Sequence, residues 1–380
     1  MPRPIYAVIH QDHVLNNLNV AKSLHPSALT YAVVKANAYG HGIENVYPAL
    51  KHADGFALLD LDEAIQLREL GWQGPILLLE GIFHPQDLAI CQHYQLQFAV
   101  HNFEQISWLE QQIVADASYQ VFLKMNSGMN RLGFSEQEYS MAWHRLRQCK
   151  IVRSITHMTH FSDADLARYD QNSRIDRQVK SFKKATAGLI GSTSLSNSAA
   201  ILSQSQVQGD IIRAGILLYG SSPTYPRHHV EDWKLKPAMS LRSEVIAIQH
   251  LEKGDAVGFG GHFVADKKMI IAVVACGYAD GYQRVTQSGT PVLVNGKIAP
   301  LVGRVSMDML TVDISHLSDV NLGSEVTLWG YASTGEMLSI DEVAEGSGTI
   351  GYELMCAITK RVKVITSHLN TQKENQLEYN

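Results

Sequence analysis

The stretch "LTYAVVKANAYGHG", from Leu29 to Gly42, leads from an apolar run into a lysine, a tyrosine and two glycines. Seven further apolar runs follow before about residue 220, each ending in small or polar residues: "GFALLDL", "PILLLEG", "LQFAVHN", "YQVFLKMNSG", "VRSITHMTHF", "STSLSNSAA" and "IIRAGILLYG". Segments with apolar residues at helical spacing separate them, such as "LDEAIQLRELGW" and "NFEQISWLEQQIV". Eight strand–helix alternations predict an α/β fold with a closed (β/α)8 barrel of the TIM type. A doubly wound open sheet is the alternative, although no GxGxxG follows the first run.

The pattern changes after about residue 230. Strands joined by short turns dominate there, as in "MSLRSEVIAIQHL", "MIIAVVACGYADG" and "SEVTLWG", with a late helix near "GYELMCAIT". A chain of 380 residues also exceeds the roughly 250–300 residues at which single cores stop growing. We therefore predict two domains, an α/β barrel over residues 1–230 and a mainly β domain over residues 231–380.

Composition excludes several classes of function. Charged residues make up 18% of the chain, and the net charge of −5 comes from acids and bases mixed along its length, which does not suggest a nucleic-acid partner. The sequence has no apolar run of about 18 residues and no signal-peptide pattern, so we expect no membrane partner and a cytoplasmic location. Four cysteines stand far apart without a CxxC pair, and we expect no metal site.

Lys35 is the first candidate for chemistry because it ends a barrel strand. Burying an ammonium without a partner is costly, so one interpretation is a lysine whose amine reaches water at the barrel rim. The other is a desolvated lysine at the mouth of a barrel, which can lose its proton and react with an aldehyde.

The motif "VVKANAYGHG" resembles the pyridoxal-phosphate lysine motif of the alanine racemases, which are barrel-type, fold III pyridoxal-phosphate enzymes. Other matches follow in the family's order: "NSGMNRLGF", "THFSDAD", "SNSAA", "IRAGILLYG", "GYADGY", "VGRVSMDM" and "GYELMC". The resemblance covers nearly the whole chain. It implies pyridoxal-phosphate-dependent racemisation of L- and D-alanine, which supplies D-alanine for cell-wall peptidoglycan or serves alanine catabolism, by a homodimer with shared active sites.

The resemblance assigns the cofactor to a set of residues from both predicted domains. Lys35 holds pyridoxal phosphate and moves the α-proton on one face of the amino acid, while Tyr39, Ser198, Gly215 and Tyr352 hold the phosphate. From the residues alone, Ser198 could equally be the N-cap of the helix "AAILSQ", and both tyrosines could be packing aromatics.

The resemblance implies that Arg213 and His160 adjust how strongly the cofactor ring withdraws electrons. Arg213 faces the pyridine nitrogen, and His160 hydrogen-bonds that arginine. Outside this context, Arg213 could pair with an acid such as Asp210, and His160 could be an interior histidine. His157 and His160 have no third metal ligand nearby in the sequence.

Arg131 and Lys124 are implied to act near the substrate carboxylate. Arg131 resembles the arginine that orients the cofactor's phenolic oxygen and the substrate carboxylate, for which a planar guanidinium is suited. Lys124 matches a lysine that is often carbamylated in the family, although an unmodified lysine in a salt bridge would give the same sequence.

Met307, Asp308 and Tyr278 are implied to bind the substrate. In the family the first two reach the site from the partner subunit, and Tyr278, with Arg304 and Asp165, resembles a narrow entry passage for small amino acids. The alternative interpretation of these residues is a surface turn with charges at a rim.

Phe259, in "DAVGFGGHF", is the one serious departure from the family pattern. It lies nineteen residues before Tyr278, where the family has a tyrosine that serves as the second proton shuttle. A phenylalanine keeps the ring but has no exchangeable proton. Three hypotheses follow: a weakened alanine racemase, a retro-aldol lyase acting on β-hydroxy amino acids, or a non-catalytic pyridoxal-phosphate-binding protein.

Overall fold

The computed structural model describes residues 3–112, 118–166, 173–204, 207 and 209–367. They belong to two compact units. The barrel unit comprises Leu18–Ala38 and Leu50–Leu218, and the strand-rich unit comprises Met1–Asn17, Tyr39–Ala49 and Tyr219–Asn380.

Strands and helices are numbered along the chain. The strands are β1 Tyr6–His10, β2 Leu29–Val33, β3 Gly55–Leu58, β4 Ile76–Leu78, β5 Gln97–Val100, β6 Tyr119–Lys124, β7 Val152–Met158, β8 Ser192–Ser194, β9 Ile211–Ala214, β10 Met239–Leu251, β11 Ala256–Val257, β12 Phe263–Val264, β13 Met269–Val274, β14 Pro291–Val294, β15 Lys297–Pro300, β16 Leu310–Asp313, β17 Glu325–Tyr331, β18 Met337–Leu338 and β19 Lys363–Ser367. The helices are α1 Gln11–Leu24, α2 Lys35–Tyr39, α3 Ile43–Leu50, α4 Leu61–Glu69, α5 Asp87–His93, α6 Phe103–Gln111, α7 Glu136–Gln148, α8 Arg174–Thr186, α9 Ser198–Ser203, α10 Ile340–Gly346 and α11 Gly351–Cys356.

The barrel unit contains an eight-stranded parallel sheet in the order β8-β7-β6-β5-β4-β3-β2-β9. Each of the eight apolar runs contains one of these strands, and most strand residues are buried because parallel sheets are covered on both faces. Helices between the strands begin at the expected N-caps, such as Asn102 before α6 and Ser135 before α7. The predicted eight-stranded barrel with helices is confirmed, as is a C-terminal region composed mainly of strands.

Strands β8 and β9 bring the two ends of the barrel sheet together. The Arg213 N–H donates to the Ser196 carbonyl oxygen at 3.0 Å, and the Ser194 hydroxyl donates to the Ile211 carbonyl oxygen at 3.0 Å. A serine side chain thus supplies a bond that a regular ladder would take from the backbone, and the barrel is nearly closed.

The strand-rich unit is organised around β10. This strand pairs antiparallel with β1, β13 and β17, while β1 also pairs parallel with β19. Strand β1 was not predicted, and it belongs to the strand-rich unit because its partners β10 and β19 lie in the C-terminal part of the chain. None of the helices in the described ranges is long and apolar enough to cross a bilayer.

Candidate active site

Lys35 follows strand β2 and begins a turn of left-handed helix. Ala36, Asn37 and Ala38 have φ angles of 54°, 52° and 54°, values that residues other than glycine rarely adopt. The Ala38 N–H donates to the Val34 carbonyl oxygen at 2.8 Å, which closes the turn. A left-handed helical conformation costs roughly 1–2 kcal/mol per residue. Since backbone strain of this kind concentrates at functional sites, the turn is an independent indication that Lys35 is functional.

Five basic side chains lie near one another at the carboxyl ends of the barrel strands, because, besides burial, Arg213, Arg131, Lys124 and Lys35 all lower the pKa of His160. Lys35 follows β2, Lys124 ends β6, and Arg213 lies in β9. Residues at this edge of a barrel meet around its mouth. A cluster of this sign attracts an anionic ligand.

Lys124 is buried among these charges. It is only 5% exposed, and its ammonium donates to the Leu79 carbonyl oxygen at 3.3 Å. Burial, followed by the positive charges of Arg213 and Arg131, lowers the pKa of Lys124 to about 8, while Glu80 acts in the opposite direction. Much of this amine is therefore neutral near pH 8.

Arg213 is 3% exposed, and its guanidinium is fixed by hydrogen bonds. It donates to the Ser194 carbonyl oxygen at 2.9 Å and hydroxyl at 2.6 Å, and to the Thr159 carbonyl oxygen at 2.8 Å. It also lies 3.5 Å from Nδ1 of His160. Burial lowers the pKa of Arg213 to about 10, so it remains charged at neutral pH. Its protein partners are neutral, which leaves its charge available to a ligand.

His160 is held in its neutral form. Burial, followed by the charges of Arg213, Arg131 and Lys124, lowers the pKa of His160 well below its usual value.

The Asp210 carboxylate does not provide the ion pair considered for Arg213 from the sequence. It accepts instead from the Thr193 backbone N–H at 2.7 Å and hydroxyl at 2.9 Å.

Ser198 lies beside Gly215 at the start of α9. Its hydroxyl oxygen accepts from the Gly215 N–H at 2.9 Å. The N-cap of α9 is Asn197, whose side chain accepts from the Ala200 N–H at 3.1 Å. The alternative that Ser198 caps this helix is therefore wrong, and its hydroxyl is turned toward the loop after β9.

Within the strand-rich unit, Tyr39 and Tyr352 lie close together. Their ring centroids are 6.0 Å apart, and Tyr219 packs 4.7 Å from Tyr39. Gly40 has a φ of 80°, and a side chain there would collide with the Met355 carbonyl oxygen. The two predicted phosphate-binding tyrosines thus share one tightly packed aromatic group.

Phe259, Tyr278 and Met307 lie on exposed loops of the strand-rich unit. Phe259 is 70% exposed and Met307 52% exposed. The loops of Tyr278 and Met307 are joined through their backbones, because the Tyr278 N–H donates to the Ser306 carbonyl oxygen and the Ala279 N–H to that of Met307, both at 3.0 Å. The unit therefore presents exposed apolar side chains from fixed loops.

Asp308 forms part of an ion network that the sequence did not reveal. Its carboxylate accepts from Arg361 at 2.5 Å, and its carbonyl oxygen accepts from Arg3 at 2.5 Å. Both arginines also bind the fully buried Asp280 carboxylate, at 2.7 Å from Arg3 and 3.3 Å from Arg361. The Asp308 side chain is thus already neutralised within its own unit.

Three predicted residues remain, and each is at least partly exposed in its own unit. Arg131 is an exposed residue of the barrel unit, and Asp165 lies half-buried in that unit. Arg304 is exposed in the strand-rich unit, with Tyr278. Within the described ranges, no group of three or more His, Cys, Asp or Glu residues is placed to hold a metal ion.

Two family models cover most of the chain. "Alanine racemase, N-terminal domain" matches residues 9–223, and "Alanine racemase, C-terminal domain" matches residues 238–366. This chain belongs to the alanine racemase family. The alanine racemase of Acinetobacter baumannii (strain SDF) is 58% identical over 366 residues, which are 96% of this chain and 99% of that relative.

Solved alanine racemases have the same fold. The crystal structure of biosynthetic alanine racemase from Pseudomonas aeruginosa has a TM-score of 0.91 and 40% identity, and the match covers 96% of this chain and 100% of that one. The alanine racemase from Bacillus anthracis with bound L-Ala-P has a TM-score of 0.82 and 32% identity, with 97% and 96% covered. The predicted racemisation of alanine and the predicted cofactor, pyridoxal phosphate, are thereby confirmed.

The residues of the barrel unit fit this cofactor. Pyridoxal phosphate carries a phosphate and a phenolic oxygen, both of which are anionic when the cofactor is bound. Of the five basic side chains, His160 is neutral and Lys124 is only partly charged near pH 8, so the matching charge comes mainly from the arginines. Arg213 keeps its charge without an acidic partner among the contacts described above.

Proposed function

We propose that Lys35 binds pyridoxal phosphate through its ε-amine and moves the α-proton of alanine on the D-face. The bound cofactor supplies an electron sink that acidifies the α-carbon of the amino acid. The observation that carries this assignment is the strained left-handed turn directly after Lys35, beside the cluster of basic side chains.

Replacing the lysine tests this assignment. Lys35→Ala should abolish the visible absorption of the protein-bound cofactor and the covalent adduct formed with borohydride. Cofactor that is still trapped covalently on Lys35→Ala, at the level seen with the parent chain, would show that another group holds it.

Arg213 is proposed to donate an N–H to the pyridine nitrogen. A guanidinium donates without giving up its proton, so Arg213 keeps that nitrogen unprotonated. This limits the electron sink and favours return of the proton to the α-carbon over transamination. His160 supports Arg213 from 3.5 Å as a neutral ring.

The phosphate is proposed to lie against Tyr39, Ser198, Gly215 and Tyr352. The adjacent Ser198 hydroxyl and Gly215 N–H, and the paired tyrosine rings, support this assignment.

Arg131 is proposed to bind the substrate carboxylate, oriented by Lys124. Carbamylation of Lys124 would convert a buried cation into an anion that could pair with Arg131. The lowered pKa of Lys124, caused mainly by burial, favours the neutral amine that such a modification requires.

The protein is proposed to act as a homodimer in which Met307, Asp308, Tyr278 and Phe259 of one chain serve the Lys35 of the other. The exposure of Phe259 and Met307 supports an interface there, because exposed apolar side chains on fixed loops gain from burial. Sedimentation at high dilution tests this proposal, since a fully active monomer would contradict it.

Phe259 is proposed to weaken racemisation because it offers no proton on the L-face. The alternative function is retro-aldol cleavage of β-hydroxy amino acids with His160 as the base that accepts the hydroxyl proton. The lowered pKa of His160, caused mainly by burial, makes it a weak base and counts against this alternative. Incubation with D- and L-alanine and with a β-hydroxy amino acid, followed by chiral chromatography and aldehyde detection, separates the two activities. Neither product would be the result expected of the non-catalytic pyridoxal-phosphate-binding protein considered from the sequence.

We further propose that the protein works in the cytoplasm and supplies D-alanine for peptidoglycan or interconverts alanine for catabolism. The four cysteines are free thiols, which is consistent with a reducing compartment. Cell fractionation with an antibody against the chain checks the location.

A further inference from the structure

We propose that Glu63 is a positioning residue that holds the left-handed turn after β2 and thereby aims Lys35. The inference rests on the proposed role of Lys35. Oε1 of Glu63 accepts a hydrogen bond from the Asn37 N–H at 2.6 Å. Asn37 is the second of four consecutive non-glycine residues with positive φ that follow Lys35, from Ala36 to Tyr39.

The Glu63 side chain does not cap its own helix, although its position in the sequence suggests that it would. It lies three residues after Asp60, the N-cap of α4, a spacing at which a glutamate commonly bonds back to its own helix. The Asp60 side chain makes no capping hydrogen bond, and the Glu63 carboxylate bonds instead to the turn. The helix therefore places a carboxylate against another segment of the barrel unit.

The environment of Glu63 indicates that this contact has a purpose other than helix stability. Its second oxygen, Oε2, is buried without a hydrogen-bond partner among the described residues. Burial raises the pKa of Glu63, while the bond from Asn37 lowers it. The protein keeps the Glu63 carboxylate in an unfavourable environment. In return, the strained turn receives a short, charge-assisted hydrogen bond at the Asn37 N–H.

The consequence is preorganisation. A turn of non-glycine residues with positive φ tends to relax unless its surroundings hold it. If Glu63 holds the turn before the cofactor arrives, Lys35 need not be ordered during binding, and this ordering is a cost that otherwise reduces affinity.

Three variants of the cofactor-free protein test the inference. Glu63→Leu removes the acceptor, Glu63→Gln keeps an uncharged carbonyl oxygen at the same reach, and Asp62→Leu changes the exposed neighbouring carboxylate as the matched control. The first measurement is amide hydrogen exchange at Asn37. The second is the pyridoxal phosphate concentration that half-saturates borohydride trapping at Lys35.

We expect Glu63→Leu to speed Asn37 exchange and to raise the half-saturating concentration about 10- to 100-fold, the usual effect of losing a hydrogen bond to a charged group. Glu63→Gln should restore most of both values, and Asp62→Leu should change neither. If Glu63→Leu does not fold, Glu63→Asp, which is one methylene shorter, should show the same two losses.

Parent-like exchange at Asn37 and parent-like trapping in a folded Glu63→Leu or Glu63→Asp protein would overturn the inference. If the proposed role of Lys35 is wrong, the result is different: the covalent cofactor adduct would persist in Lys35→Ala. Exchange at Asn37 is measured without cofactor, so it reports on the turn whichever residue binds the cofactor.

Discussion

Substitution of Phe259 by tyrosine should restore a proton shuttle. Phe259 is 70% exposed within its own chain, so adding a hydroxyl should change the free energy of unfolding by no more than about 0.5 kcal/mol. A positioned acid–base group contributes typically about 10²–10⁴-fold to a rate. At 1.36 kcal/mol per factor of ten, this is about 2.7–5.4 kcal/mol of the barrier. Phe259→Tyr should therefore raise racemisation by a factor in that range.

The assay must separate the two faces of the substrate. Racemisation needs a proton removed on one face and returned on the other, whereas Lys35 alone suffices for exchange on the D-face. Proton NMR of D-alanine in deuterated water measures exchange, and a chiral column measures racemisation of the same samples. For the chain as given, exchange should proceed with retention of configuration.

Phe263→Tyr is the matched control because it adds the same hydroxyl to a partly buried ring of the same hairpin, on strand β12. It should leave both rates unchanged. Equal racemisation by the chain as given and by Phe259→Tyr would refute the reasoning, since another group would then serve the L-face.

Three further predictions concern the charged groups. Arg213→Glu should raise formation of pyruvate and pyridoxamine phosphate from alanine, because a carboxylate stabilises a protonated pyridine; unchanged side products in a folded variant would contradict the assignment. Lys124 has a folded pKa of about 8 against an ordinary 10.5, so the unfolded state binds more protons between these pH values. The cofactor-free protein should therefore gain up to about 3 kcal/mol of stability from pH 8 to 10.5, and Lys124→Met should lose this gain in urea titrations. Asp280→Asn should lower the free energy of unfolding more than Asp319→Asn, because the buried Asp280 carboxylate accepts from both Arg3 and the Gly277 N–H, whereas Asp319, at the exposed pair with Lys297, should cost about 0–1 kcal/mol when replaced by asparagine.

The barrel strands were predictable because parallel strands buried on both faces give continuous apolar runs. Strand β1 was not, since "YAVIH" is a single short run whose partners β10 and β19 lie more than 200 residues further along the chain. No local pattern records such a pairing. The same long-range pairing places the first strand in the strand-rich unit with the C-terminal part of the chain.

Site residues could be predicted from the sequence only where they belong to a recognisable motif. Arg3, Asp280 and Arg361 form an ion network, although more than 270 residues of sequence separate Arg3 from Asp280. Neither Arg3 nor Arg361 stands in a distinctive sequence pattern. Glu63 follows a spacing that predicts a capping box, yet its carboxylate bonds to Asn37. Asn197 was the better signal for the start of α9, since asparagine is a preferred N-cap.

Packing within the chain constrains Arg213 and Phe259 very differently. Arg213 is 3% exposed and bonded to several backbone and side-chain groups, so most substitutions there will disturb the barrel together with the chemistry. Phe259 is 70% exposed, and either a phenylalanine or a tyrosine fits its turn within the chain. The choice between the two at this position is therefore not set by the fold of the unit that carries it. When sedimentation shows equal dimerisation of the two proteins, a difference in racemisation between them should report on proton transfer.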